Sequence, residues 1–276
     1  VVHRAPADAR VEGAASVVRA DLLDPDAVAA AVEGCDCVQV ICPVPARAAD
    51  PVAQMSAVID ALVQGMRAVP AAAVVAISDY GAEIPGGTGI TAVFHRLEAR
   101  LGELPNPLTF VRSAEHMHNW TRQLRATLKT GTLASMHQPL TKAFPTVHAP
   151  DLGAITADLL LSPFTPAGSP RVVYAEGPRR YSALDVAAAL ATITASDITA
   201  REVTREQWEP MLTAAGATPG LAKLTAELYD AHNAGLIDAL PGADIRYGAT
   251  PLKDALASVV TAPGPAVSRH LDSQHG

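Results

Sequence analysis

Short apolar runs of strand type alternate with single Ala- and Val-rich helical runs through the first half of the chain. This alternation restricts the fold more than any other feature. Runs 15–19, 37–42, 72–78 and 108–112 read as strands, and 1–3 reads as the tail of another. The 72–78 run is almost wholly apolar, as a strand covered on both faces must be. Helical patterns at 25–33, 51–68 and 91–103 lie between them. Asp24-Pro25 and Asp50-Pro51 each put a capping carboxylate before a proline at the first helical position. Gly34 closes the first of these helices. Such spacing predicts βαβ units, hence an α/β fold with a parallel sheet and helices on both faces.

The second half changes character. Residues 114–129 read as a polar helix, and 131–150 as loop with Pro139, Pro145 and Pro150. Helices are expected at 151–161, 182–193, 205–215, 221–234 and 252–260, and strands at 171–175 and 198–203. At 276 residues the chain can bury a real core without disulfides or metals. Aromatics are only 4%, so Ala, Val and Leu must fill that core. A net charge of −7 is a poor match for nucleic acid or an anionic membrane, and neither is an expected partner. The three cysteines, Cys35, Cys37 and Cys42, crowd onto one strand-like stretch. Their odd number argues against a disulfide framework and for a reducing, cytoplasmic setting. They lack the second ligand pair of a zinc site, so they read as buried small hydrophobes and no metal is expected.

In open parallel sheets ligands bind outside the carboxyl ends of the strands. Here those ends carry His3-Arg4, Asp21-Leu22, Cys42-Pro43-Val44, Ser78-Asp79-Tyr80 and Ser113 followed by Glu115-His116-Met117-His118-Asn119-Trp120. An arginine such as Arg4 after the second strand can pair with a 2′-phosphate, which leans toward NADP(H) over NAD(H); the alternative is a solvated surface side chain.

The runs VRADLLDPDAVAAAVEGCDCVQVICP, FHRLEARLGEL with the later LTFVRSAEHMHNW, and VVYAEGPRRYSALDVAAAL together resemble the NmrA-like branch of the atypical short-chain dehydrogenase/reductases. The resemblance implies a Rossmann-like domain over 1–113, with 145–175 returning to it. It also implies a mostly helical substrate region from 114–144 and 176–262, and a loose tail at 263–276. By the same resemblance Asp21, Leu22, Cys42, Pro43 and Val44 approach the adenosine half of a dinucleotide, with His3 and Arg4 at its ribose. Asp21 can contact the adenine of such a cofactor, a reading preferred to that of a plain turn residue before the Asp24 cap. Ser78, Asp79, His95 and Ser113 approach the nicotinamide half. His116, Met117, His118 and Trp120 line the substrate pocket.

Two departures from the family stand out. The sequence holds no strand, Gly-rich turn and helix ahead of Val1, which implies a start recorded too late and weak dinucleotide binding by these residues alone. Gly86, Gly87 and Gly89 read as a flexible turn, not a replacement. Nor is there a Tyr-x-x-x-Lys: the residues before His95 are Thr91-Ala-Val-Phe94. Catalytic proton chemistry is therefore expected from His95, Tyr80 or Ser78. The leading expectation is an oxidoreductase acting on a small carbonyl or quinone-like substrate, with a homodimer or a regulatory protein partner left open. The alternatives are a non-catalytic NADP(H) sensor and a truncated, inactive product.

Overall fold

The computed structural model describes residues 2–3, 13–69, 72–164 and 169–260. Arg4 and the 263–276 tail lie outside the described residues, and of His3 only its strand position is described.

Strands β1 (Val2–His3) and β2 (Val18–Arg19) pair in parallel as a ladder of their own. Then come α1 (Pro25–Val32), β3 (Cys37–Ile41), α2 (Pro51–Arg67), β4 (Ala73–Asp79), α3 (Thr91–Leu101) and β5 (Leu108–Ser113). The chain continues through β6 (Glu115–His116), a 3-10 turn at Met117–Gln123, α4 (Leu124–Thr130), β7 (Thr132–Ser135) and β8 (Thr146–Val147). It then forms α5 (Ala149–Leu161), β9 (Arg171–Glu176), α6 (Ala183–Thr194), β10 (Thr199–Glu202) and α7 (Arg205–Ala214). The last described elements are α8 (Pro219–Asn233), β11 (Asp244–Tyr247) and α9 (Leu252–Val260).

The central sheet has the order β11-β9-β5-β4-β3, and every pair in it is parallel. β4 and β5 are buried along nearly their whole length because strands flank them on both sides and helices cover both faces. The outer edge of β3 has no strand partner among the described residues, and there Ile41 is 60% exposed.

One face of the sheet packs Val74, Ala76 and Phe110 against Met55, Ile59 and Leu62 of α2 and Leu97 of α3. The other packs Val75, Val111 and Val173 against Leu152 and Leu159 of α5. A second core gathers Trp120, Phe144, Val186, Leu190 and Leu256 away from the sheet.

Local sequence explains the helix starts. Asp24 accepts from the Asp26 and Ala27 amides, and Asp50 from the Ala53 amide at 2.9 Å. Ser182 and Asp185 close a reciprocal cap at the start of α6.

The structure differs from the sequence pattern after β5. The expected single helix at 114–129 is divided into β6, the 3-10 turn and α4. The proline-rich stretch expected as loop contributes β7, which pairs with β10, and β8, which pairs with β6. β11 extends the main sheet from a segment with no strand pattern.

Candidate functional site

The candidate site lies at the carboxyl ends of β4 and β5. Asp79 and Ser113 end these strands side by side in register. Thr91 opens α3 directly opposite, and its hydroxyl donates to Asp79 Oδ2 at 2.5 Å. Burial pushes the Asp79 carboxyl up to about 6, and the charges of Glu115 and Glu98 add to this against the pull of the Thr91 hydrogen bond.

His95 lies one helical turn beyond Thr91, on the same face of α3. Its Nδ1 is 2.8 Å from the Ala82 carbonyl. A carbonyl only accepts, so Nδ1 carries the proton and Nε2 is the ring's remaining polar atom.

Beneath the site, Arg112 is almost fully buried. It donates through Nε and Nη2 to both Glu98 oxygens, at 3.0 and 2.7 Å, and through Nη1 to Glu83 and the Tyr174 hydroxyl. The Ser78 hydroxyl joins this network, donating to Glu98 at 2.6 Å. Tyr80 donates to Glu176 at 2.7 Å, and Arg180 ties Glu176 to Asp238. Ser78 and Tyr80 are each only 2% exposed, and both hydroxyls point into the interior. The structure therefore uses them in the floor of the site rather than in its opening. The Ser113 hydroxyl is turned to the Ala114 carbonyl of its own loop.

The wall beyond β5 carries a second polar group. Glu115 accepts from the Tyr229 hydroxyl at 3.3 Å and lies 2.9 Å from His137 Nε2. Burial pushes the Glu115 carboxyl up, but His137, His232 and Tyr229 outweigh burial and hold it below the usual carboxylate range. The His116 and His118 rings lie 5.3 Å apart and tilted by 39°, and burial holds both imidazoles below their ordinary range. Met117 and Trp120 go instead into the second core, at 0% and 5% exposure. Among the described residues no group of three or more His, Cys, Asp or Glu side chains is arranged to hold a metal.

At the other end of the site, Cys42 is buried with its thiol pushed up to about 12, while Val44 is 43% exposed beside Ile41. Leu22 packs partly on the core, and Asp21 Oδ1 accepts the Leu23 amide at 3.0 Å. Pro43 is exposed at the lip.

The loop glycines serve packing as much as turning. Gly89 has φ +58°, and a Cβ there would sit 1.9 Å from the Leu224 carbonyl of α8. By contrast, Gly86 and Gly87 face open space.

Sequence reasoning did not single out Thr91, Glu98, Glu83, His137 or Tyr229. Thr91 alone had a readable signal, four residues before His95 on one helix face.

No family model and no curated protein matches the chain. Solved structures do. A nucleoside-diphosphate-sugar epimerase from Staphylococcus aureus superposes with a TM-score of 0.74 at 17% identity, over 93% of this chain and 89% of that one. A triphenylmethane reductase from Citrobacter sp. gives 0.70 at 18%, over 89% and 83%. An NADPH-dependent quinone oxidoreductase from Escherichia coli, solved with NADPH, gives 0.70 at 17%, again over 89% and 83%. The fold is Rossmann-like, of the kind shared by nicotinamide-dependent reductases and epimerases. In a Rossmann-like sheet the ends of β3, β4 and β5 are the ligand-binding edge, and the Asp79–Thr91 pair stands on that edge.

Proposed function

We propose that the protein is an NADP(H)-dependent oxidoreductase that reduces a small carbonyl or quinone-like acceptor at the ends of β3, β4 and β5. One observation carries this reading. A hydrogen-bonded pair, Asp79 and Thr91, and a histidine with a spare ring nitrogen, His95, gather on the ligand edge of a Rossmann-like sheet.

The residues suit the nicotinamide end of such a cofactor. His95 Nε2 and the partly buried Asp79 carboxyl offer polar contacts where the sheet opens. Exposed Ile41 and Val44 offer an apolar lip at the end of β3 for the adenosine half. For the pyrophosphate, no glycine-rich strand-to-helix turn is found among the described residues. The preference for NADP(H) over NAD(H) rests on Arg4 and the sequence alone.

When bound, the reduced nicotinamide supplies hydride. The chain's own residues orient the acceptor and manage protons. His116 and His118, both held neutral by burial, form the wall that a flat substrate would meet. Glu115, fixed by His137 and Tyr229, holds that wall to α8.

A non-catalytic sensor is the second reading, and one observation favours it. Four of the five tyrosines, Tyr80, Tyr174, Tyr181 and Tyr229, have hydroxyls committed to Glu176, Arg112, the Leu252 amide and Glu115. The fifth, Tyr247, is exposed on β11. No tyrosine stands in the site as proton donor.

NADPH oxidation at millimolar cofactor against a panel of aldehydes, ketones and quinones separates the two. Turnover that is lost in His95→Ala supports the enzyme. Saturable NADPH binding without turnover supports the sensor.

A further inference from the structure

We infer that Asp79, seated by Thr91, is the proton donor to the oxygen of a carbonyl acceptor. The inference rests on the oxidoreductase reading and gives it a donor that the missing tyrosine left vacant.

The geometry comes first. Asp79 is the last residue of β4, at the carboxyl end of the strand, and it remains partly exposed. Thr91 at the head of α3 holds one carboxyl oxygen at 2.5 Å and the Tyr80 backbone amide also donates to the group, so the carboxyl is oriented from two sides while its side chain stays partly exposed at the strand end. The neighbouring acids are unsuited to the task. Glu98 is locked in both oxygens by Arg112 and Ser78. Glu115 is held by His137 and Tyr229.

These same groups determine what Asp79 feels. From α3 it faces Thr91 and Glu98, with His95 one turn on; from β5, Arg112 neutralises Glu98. From β6 it faces Glu115, behind which stand His137, Tyr229 and His232. Two carboxylates and a desolvated seat favour the protonated acid, and its pKa of about 6 lies near working pH, where a general acid is most effective.

The step balances. Once hydride from a reduced nicotinamide has reached the carbonyl carbon, the oxygen carries the displaced electron pair. The O–H bond of the Asp79 carboxyl breaks and an O–H bond forms on the acceptor, giving an alcohol. The electron pair stays on Asp79 as carboxylate, and Thr91 continues to donate to it. A proton from water then restores the acid.

Two readouts test this. In the ligand-free protein, selective carbon-13 labelling of aspartate carboxyls follows each titration by NMR. One carboxyl is expected to titrate near 6, to vanish in Asp79→Asn, and to move upward in Thr91→Val, where the hydrogen bond to the carboxylate is lost. In turnover at saturating NADPH, Asp79→Asn is expected to lower kcat for a carbonyl acceptor by about 100-fold or more. Wild-type kcat should fall as pH rises past about 6, and that limb should be flat in the variant. An Asp79→Asn enzyme within about threefold of wild type overturns the donor role, as does an Asp79 carboxyl that titrates with the ordinary aspartates near 4. A wild-type protein that neither binds nor oxidises NADPH overturns the oxidoreductase reading itself, and shows this before any variant is made.

Discussion

Arg112 holds the floor of the site. Its guanidinium is buried against Glu98 and Glu83 and also donates to the Tyr174 hydroxyl, while Ser78 donates to Glu98. Burial disfavours its charge, but the paired carboxylates more than offset this and hold the guanidinium well above its ordinary range. Arg112→Met leaves two acids in a desolvated space without a cation. It is expected to cost about 3–5 kcal/mol in urea unfolding at neutral pH, the usual effect of removing one partner of a buried pair. Asp79 acts in the opposite direction. Its folded pKa lies above that of the unfolded chain, so folding takes up a proton between about pH 4 and 6. Stability is therefore full below that window and declines as pH rises through it. Asp79→Asn removes the titration, so at pH 7 the variant is expected to be more stable than wild type, by on the order of 2–3 kcal/mol. Below about pH 4 the difference should vanish. Thermal unfolding across this range checks it, and a pH-independent difference would contradict the buried-acid account.

At the scale of elements, α8 sets the outer limit of the loop before α3. The Gly89 backbone lies against the Leu224 carbonyl, where a Cβ would come within 1.9 Å. Since φ there is also positive, Gly89→Ala must displace α8 or the loop. It is expected to destabilise by about 2 kcal/mol or more, whereas Gly87→Ala, facing open space at φ +77°, pays only for the backbone, about 1 kcal/mol. Urea midpoints of the two variants compare them directly. The helices α1, α2 and α6 were legible in the sequence because their first turns carry their own caps. β4 and β5 were legible because strands buried on both faces are continuously apolar. β8 and β11 were not. β8 is two residues long, and β11 is polar and half-exposed, so each exists only through a partner distant in sequence. The site divides in the same way. Ser78, Asp79, Ser113 and His95 could be placed near one strand edge from order alone. The Glu115–His137–Tyr229 group could not, because its members lie 22 and 114 residues apart and no local pattern joins them. The inward turn of Ser78 and Tyr80 was equally invisible, since it depends on Glu98 and Glu176 being packed beneath them.

The whole molecule is a Rossmann-like sheet with a second core beside it, and the proposed nicotinamide site lies at the ends of β3, β4 and β5. Both cores meet at this edge: β5 runs directly into β6 and the 3-10 turn, whose Met117 and Trp120 anchor in the second core. A ligand touching His116 and His118 therefore bears on both. The most direct test is an NADPH titration followed in amide NMR spectra of the assigned protein. Saturable shifts are expected at Asp79, Thr91, His95 and Ser113, with weaker ones at Ile41 and Val44. Spectra unchanged at millimolar NADPH, or shifts centred away from these strand ends, would contradict the claim.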